Sequence, residues 1–499
     1  MTTSIATQIV PHLIGGEPTR ESARSQPVYS PATGEEIRQV PLADTELLNQ
    51  AVATAAQAQK SWRSLGLAKR SLVFFRLAAI IRDEQEDLAR IITEEHGKTI
   101  PDALGEIARG LENVEFCAGL MHHLKGENAE QVASGVDVQQ LKQPVGVVAC
   151  ITPFNFPAMV PLWMISTAIA AGNAVILKPS ERDPSATVWI AEAFQRAGLP
   201  DGILNVVHGD KDTVNAILEH PVIRAVSFVG STPIAKHIYS TAALHGKRVQ
   251  ALGGAKNHMV VMPDADLDSA ADAAISAGFG SAGQRCMAVS VLVAVGDIAD
   301  DLIERITLRM NDLKLGNGAE ADTDIGPLIT RQAQERADRI LDSAPGEGAT
   351  IVVDGRTSAQ GMDGFFVGAS LVDNVQPGMQ VYDEEIFAPV LSVVRVNTYE
   401  EAVELINSNN YANGVALFTR DGRTAREFQM DIEVGMVGIN VPIPVPIGAF
   451  SFGGWKDSLF GDTHMYGPES FNFYTRSKVI TSRWPLPDES QIELGFPTH

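Results

Sequence analysis

The sequence predicts an α/β protein, with a parallel sheet covered by helices. Short apolar, β-branched runs alternate with helix-period segments between Val145 and His245, which is the rhythm of strands joined by crossover helices. The 499 residues are 45% hydrophobic and 20% charged, a globular composition that excludes disorder as the main state. At about 150 residues per domain the length suggests about three domains. Roughly 77% of the unfolded chain's surface is expected to be buried on folding, so a large core is available without disulfides or a structural metal.

The first third reads as helical. Glu46 to Trp62 is rich in Ala and Gln, and Ala68 to His96 places apolar residues at helical spacing. Gly97 ends that helix, and Pro101 opens another that carries Glu106, Arg109, Glu112 and Glu115 on its polar positions. The pattern is weak around Asp137 to Lys142. Val145 to Ile151, between Pro144 and Pro153, then reads as a buried strand. Strands follow at Ala174 to Leu177, Ile203 to Val207 and Ala225 to Val229, with helices over Ala158 to Ala171, Ser185 to Ala197 and Thr232 to His245. After Leu252 come a helix from Leu267, a strand at Val289 to Val295 and helices from Ile298 and Arg331. Late strands fall at Val390 to Val396 and Gly414 to Phe418, and the tail, Ser470 to Thr481, alternates as a strand that pairs outside its own domain. There is no internal repeat.

Charge narrows the partners. Lys and Arg number 39 against 61 Asp and Glu, a net charge of −22, which repels nucleic acid and anionic membranes. No basic stripe offsets it. Cys117, Cys150 and Cys286 are far apart and odd in number, as expected of free thiols in a reducing cytosol, and no His/Cys spacing suggests a metal. The stretch Met1 to Arg20 has no signal-peptide pattern, and the most apolar stretch, Val145 to Ile176, is broken by prolines and Gly172, so neither export nor a membrane span is expected. A cytoplasmic location follows as an expectation.

Two motif matches are rejected. Gly278 to Gly283 fits GxGxxG but follows a helix-like run instead of a strand. His96-Gly97-Lys98-Thr99 ends like a phosphate-binding loop without its first glycine, since residue 92 is Ile. His122-His123 has no further ligands nearby and reads as a solvated helix end.

Four segments carry more. Lone cysteines are commonly small buried hydrophobes, but Cys286 follows a run of small residues (Gly278, Gly280, Ser281, Ala282, Gly283) that lets backbone approach a ligand, and Arg285 beside it favours a thiolate. Thr152-Pro153-Phe154-Asn155-Phe156-Pro157 leaves a strand end, where open α/β sheets bind ligands, although Asn155 is equally suited to cap the next helix. Lys178 to Glu181 also follows a strand and offers a lysine and a carboxylate to ribose hydroxyls; alone it reads as a solvated loop. Gly230-Ser231 ends a strand before a helix, an arrangement that can hold a phosphate.

Taken in order, these segments resemble the NAD(P)-dependent aldehyde dehydrogenase superfamily, and Glu384 to Pro389 and Asn440 to Gly454 extend the resemblance over nearly the whole chain. It implies a modified dinucleotide-binding domain (1–130 and 145–252), a catalytic α/β domain (253–455) and a small β oligomerisation flap (131–144 and 468–490), assembled as a homodimer or homotetramer. It also implies that Cys286 is the nucleophile and that Asn155 donates to the oxyanion. Thr152 and Phe154 would line the nicotinamide side. Lys178, Glu181 and Arg182 would face the adenosine ribose, Ser231 the pyrophosphate and Glu385 the nicotinamide ribose with Phe387 packed beside it, and Gly253 also belongs to the cofactor-binding set. Glu181 would repel a 2′-phosphate, so NAD is expected over NADP.

One departure stands out. Hydrolytic members carry a glutamate two residues before a double glycine, and here the segment reads Ala251-Leu252-Gly253-Gly254-Ala255-Lys256-Asn257. A missing general base typically costs about 10²–10⁴-fold, so a thiol nucleophile is expected to release the acyl group. Gly254 to His258, Gln284 to Met287 and Glu106 to Glu112 resemble the CoA-acylating branch that acts on malonate and methylmalonate semialdehyde. In that branch the arginines matching Arg109 and Arg285 bind the substrate carboxylate, and coenzyme A is the co-substrate. Two other functions fit the bare residues: a hydrolytic aldehyde dehydrogenase with a base recruited elsewhere, and a non-catalytic binding protein that keeps the fold.

Overall fold

The computed structural model describes residues 8–486. Two sheets organise it, each with its own buried apolar core. The first runs, from edge to edge, Leu459–Phe460, Arg248–Leu252, Ile223–Val229, Val147–Ile151, Ala174–Lys178, Leu204–Val206, His12–Ile14 and Glu17–Thr19. Its five middle strands are mutually parallel, and its edges are antiparallel. Val147–Ile151 and Ala174–Lys178 are buried at every residue, because helices cover both faces of a parallel sheet and leave no polar side. The chain leaves Val147–Ile151 toward Ala174–Lys178 on one side and returns to Ile223–Val229 on the other. Thr152 therefore lies at the crevice where strand order reverses.

The second sheet orders Thr350–Val353, Ser370–Asp373, Val390–Val396, Val289–Val295, Asn257–Val261, Gly414–Phe418 and Met436–Ile439, all parallel after the first. The helices Thr45–Ser64, Leu67–His96 and Ile100–Ala118 begin and end where local chemistry dictates. Asp44 accepts the Leu47 N–H, Gly97 closes the second helix in the left-handed region at φ 92°, and Thr99 caps the third.

Three expectations need correction. The chain before Thr45 is not helical: it makes five short strands between Gln8 and Pro41, too short to show a two-residue period. The weak stretch at Asp137 to Lys142 lies inside the strand Val136–Pro144, in the part of the chain expected to form β structure. The tail is a strand only from Thr475. Ser470 to Phe473 belong to the helix Gly467–Phe473, started by Pro468 and docked through buried Phe471 and Phe473. Thr475–Arg483 then pairs antiparallel with Val136–Pro144 over nine residues. With Glu127–Ala133 these form a three-stranded ribbon; residues 487–490 of the expected flap lie outside the described residues. The third correction is Glu106, expected on a polar face and found buried. Gly278 lies in the last turn of the helix Leu267–Phe279 and Gly280 to Gly283 follow it directly, so a helix and not a strand precedes the turn. Among the described residues no helix is long and apolar enough to cross a membrane.

Candidate active site

The segment that carries Cys286 departs from ordinary backbone. Ser281, Ala282 and Gly283 run consecutively through the left-handed region at φ 53°, 51° and 71°. For Ser and Ala this conformation is costly. A Cβ on Gly283 would fall 2.3 Å from the Ala388 carbonyl oxygen, so glycine is required there. Beyond the turn, the Cys286 carbonyl accepts from the Asn257 amide at 2.9 Å and from the Asn413 amide at 3.1 Å.

Burial pushes the Cys286 thiol up to about 12, and the Glu385 carboxylate adds to the shift. Arg285 does not dominate as its adjacency suggests, because its guanidinium donates to Asp102. Cys117 and Cys150 are fully buried, against the Thr167 and Tyr474 hydroxyls, and burial likewise raises both thiols to about 12.

A cavity of about 280 Å³ is lined by Cys286, Arg109 and Arg285, with apolar walls that include Phe156, Trp163 and Phe452. Folding thus brings together two arginines 176 positions apart. Each meets a carboxylate: Arg109 bonds Glu112 at 3.0 Å, and Arg285 pairs with Asp102. A Cβ on Gly280 would fall 2.6 Å from the Arg285 guanidinium, so the glycine makes room for that side chain.

At the strand ends of the first sheet lies a second group. The Phe154 ring packs edge-on to Phe387 at 5.9 Å, lies 6.2 Å from the His96 ring, and has the Arg182 guanidinium 5.1 Å from its centroid. Thr152 is buried, and its hydroxyl has no partner among the described residues. Lys178 Nζ meets Glu181 at 2.9 Å. Burial pushes the Glu181 carboxyl up, but the Lys178 charge and hydrogen bond outweigh it and hold the group below its usual range. Ser231 precedes the helix Thr232–Leu244 without capping it. Gly253 donates to the Ser458 carbonyl at 3.0 Å.

Glu385 accepts the Ala255 N–H at 2.9 Å, and a Cβ on Gly254 would come within 2.4 Å of its other oxygen. The turn before Glu385 is held by Lys256, whose ammonium donates to the Val381 and Glu384 carbonyls at 2.9 and 2.7 Å. Burial lowers that ammonium to about 7. Phe387 sits at φ 60°, a left-handed conformation that a bulky residue holds only under constraint.

Ala251, where a general base would stand, is fully buried in Arg248–Leu252, between Phe228 and Phe460 on the neighbouring strands. Asp102, Lys98, Glu106, Asn257 and Asn413 were not singled out as site residues by sequence. Lys98 falls in His96-Gly97-Lys98-Thr99, and Glu106 and Asn257 fall in segments of the resemblance that assign them no role. Among the described residues no group of three or more His, Cys, Asp or Glu side chains is placed to hold a metal.

A thiol set between a strand-end crevice and a pocket with apolar walls suits oxidation of an aldehyde through a covalent thioester. The chain belongs to the aldehyde dehydrogenase family, whose model matches residues 19–480. Within that family it is 54% identical over 491 residues to a malonate-semialdehyde dehydrogenase of Pseudomonas aeruginosa, covering 98% of this chain and 99% of the relative. A malonate-semialdehyde dehydrogenase of Geobacillus kaustophilus is 47% identical, with 97% and 100% covered. The crystal structure of methylmalonate-semialdehyde dehydrogenase from Oceanimonas doudoroffii superposes with a TM-score of 0.95 at 53% identity, over 96% of this chain and 99% of the other. A Sinorhizobium meliloti structure assigned to the same activity and complexed with NAD gives 0.96 at 50% identity, over 97% and 100%.

Proposed function

We propose that this chain is an NAD-dependent dehydrogenase of malonate or methylmalonate semialdehyde that transfers the acyl group to coenzyme A. The observation that carries the proposal is the cavity shared by Cys286, Arg109 and Arg285. A guanidinium binds a carboxylate by parallel charge-assisted hydrogen bonds, so the two arginines select an aldehyde that bears one.

The Thr152 hydroxyl, without a partner among the described residues, and the N-terminus of Thr232–Leu244, which Ser231 does not cap, fit a dinucleotide at the crevice, with its pyrophosphate at Ser231. Lys178, Glu181 and Arg182 would hold the adenosine ribose. Gly253, Gly254 and Glu385 would hold the nicotinamide ribose, with Phe154 and Phe387 beside it. Bound there, NAD accepts the hydride.

The Cys286 sulfur, once deprotonated, adds to the aldehyde carbon, and the Asn155 amide and Cys286 N–H stabilise the alkoxide. Such donors are worth about 2.7–4 kcal/mol each elsewhere. Loss of hydride leaves a thioester on Cys286. Ala251 offers no base to activate water, so the thioester waits for the thiol of coenzyme A. The β-carboxylate leaves as carbon dioxide or bicarbonate, because the adjacent carbonyl or thioester holds the resulting enolate charge. Acetyl- or propionyl-CoA is the product.

The domain division proposed from the resemblance assigns the first sheet to NAD, the second to Cys286 and the ribbon to self-assembly as a dimer or tetramer. The test is NADH formation from each semialdehyde with and without coenzyme A. A single burst that stalls until coenzyme A arrives, and yields acetyl- or propionyl-CoA, is expected. Equal turnover without coenzyme A, giving a free acid, identifies a hydrolytic enzyme instead.

A further inference from the structure

The His96-Gly97-Lys98-Thr99 run has a place in the fold that phosphate binding does not explain. Gly97 closes one helix and Thr99 caps the next, and Lys98 between them is buried at 2% exposure. Its ammonium meets Glu106 Oε2 at 2.6 Å and donates to the main-chain oxygen of Asn155 at 2.7 Å, and it lies 4.4 Å from the Phe156 ring centroid. Glu106, also buried, uses its other oxygen to accept the Ala158 and Met159 N–H groups at 2.7 and 3.0 Å. One ion pair thus grips both ends of the segment from Asn155 to Met159. The signs are matched: a cation meets a carbonyl, and a carboxylate meets the open N–H groups where the helix Met159–Ala170 begins.

We propose that the Lys98–Glu106 pair is the positioning unit of the oxyanion donor, fixing the Asn155 peptide so that its amide meets the alkoxide formed on Cys286. The proposal rests on the functional reading above. None of the hydrogen bonds among the described residues ends on the Asn155 side-chain amide, so its direction is inherited from the main chain that Lys98 holds. Stability alone is a weak reason for such a pair, since neutral groups of similar shape commonly stabilise as well as a buried ion pair. What neutral groups would not supply is a charged donor fixed on one carbonyl.

The decisive variant is Lys98→Met/Glu106→Gln. It removes both charges, keeps an amide oxygen for the Ala158 and Met159 N–H groups, and loses the ammonium on Asn155. Lys98→Met alone would strand a buried carboxylate and is expected to lower Tm. Pre-steady-state NADH bursts are recorded with malonate semialdehyde and with propanal, alongside Tm, NAD affinity and KM. In the double variant, Tm, NAD affinity and KM are expected near wild type, while the burst slows about ten- to hundredfold with both aldehydes, a part of the about 10²–10³-fold value of a whole oxyanion donor. Adding Asn155→Ala should then cost only the remaining about tenfold, less than the about 10²–10³-fold it costs in wild type, because both changes remove one function.

A burst within about threefold of wild type, or full additivity with Asn155→Ala, overturns the proposal. So does loss of NAD binding together with the burst, which marks a merely structural pair. If wild-type protein gives a burst with neither aldehyde, the functional reading fails and takes this proposal with it. A wild-type burst that the double variant matches overturns the positioning role alone.

Discussion

Asp102 holds Arg285 with one carboxylate oxygen and the Ser281 N–H, at 2.9 Å, with the other. One side chain on the first turn of the Ile100–Ala118 helix thereby ties the proposed carboxylate receptor to the strained turn that precedes Cys286. Asp102→Asn keeps an acceptor for Ser281 but loses the charge that orients Arg285. Hydrogen bonds to charged groups are worth about 1.5–3 kcal/mol, so KM for malonate semialdehyde should rise about tenfold, with KM for propanal unchanged. Gly280→Ala, which crowds the Arg285 guanidinium, should act in the same direction with little loss of Tm. Equal changes for both aldehydes would refute the link to the carboxylate.

Burial and Glu385 together keep Cys286 protonated in the free protein, its thiol raised to about 12. Alkylation by iodoacetamide should be slow at pH 7 and quicken about tenfold per pH unit up to pH 9, as the thiolate fraction grows. Glu385→Gln removes a like charge, lowers the thiol's pKa and should speed alkylation several-fold at pH 8. Mass mapping should find the label on Cys286, with buried Cys117 and Cys150 unmodified. No acceleration in Glu385→Gln would show that the carboxylate does not reach the thiol.

Glu181, kept ionised by Lys178, stands where the functional reading puts the adenosine ribose. A 2′-phosphate there would meet a like charge. Glu181→Gln should raise kcat/KM with NADP about tenfold, worth about 1.4 kcal/mol, and change NAD use less. An unaltered NAD to NADP ratio would place the adenosine ribose elsewhere.

Glu95 is buried at 1% exposure, and burial pushes its carboxyl up to about 7 against the opposing Ser185 hydrogen bond and Arg38 charge. Between about pH 4.5 and 7 the folded state keeps a proton that the unfolded state releases, so stability falls as pH rises through that window. The loss is on the order of 3 kcal/mol. Glu95→Gln has no proton to lose, so its Tm relative to wild type should be higher at pH 8 than at pH 5. A difference that is flat with pH would contradict the raised carboxyl.

By itself the sequence determined the parallel α/β class, most helices to within a residue or two, and the segments holding Cys286, Asn155, Lys178 and Glu385. Those signals are local: buried parallel strands read as apolar runs, helices follow a 3.6-residue period, and Gly97, Thr99 and Asp44 close or cap them within one turn. Tertiary structure decided the rest. Glu106 looks like a surface glutamate because helical spacing cannot say what covers a helix, and the packing of Lys98 and the Asn155 segment buries it. Asp102 and Arg285 stand 183 positions apart, so the pair that restrains the arginine exists only after the helix and the nucleophile turn have packed. The five short N-terminal strands are likewise defined by their pairing, mostly with one another and, for His12–Ile14, with Leu204–Val206. Local spacing chooses the elements, and burial with charge pairing across long separations chooses which of their side chains meet.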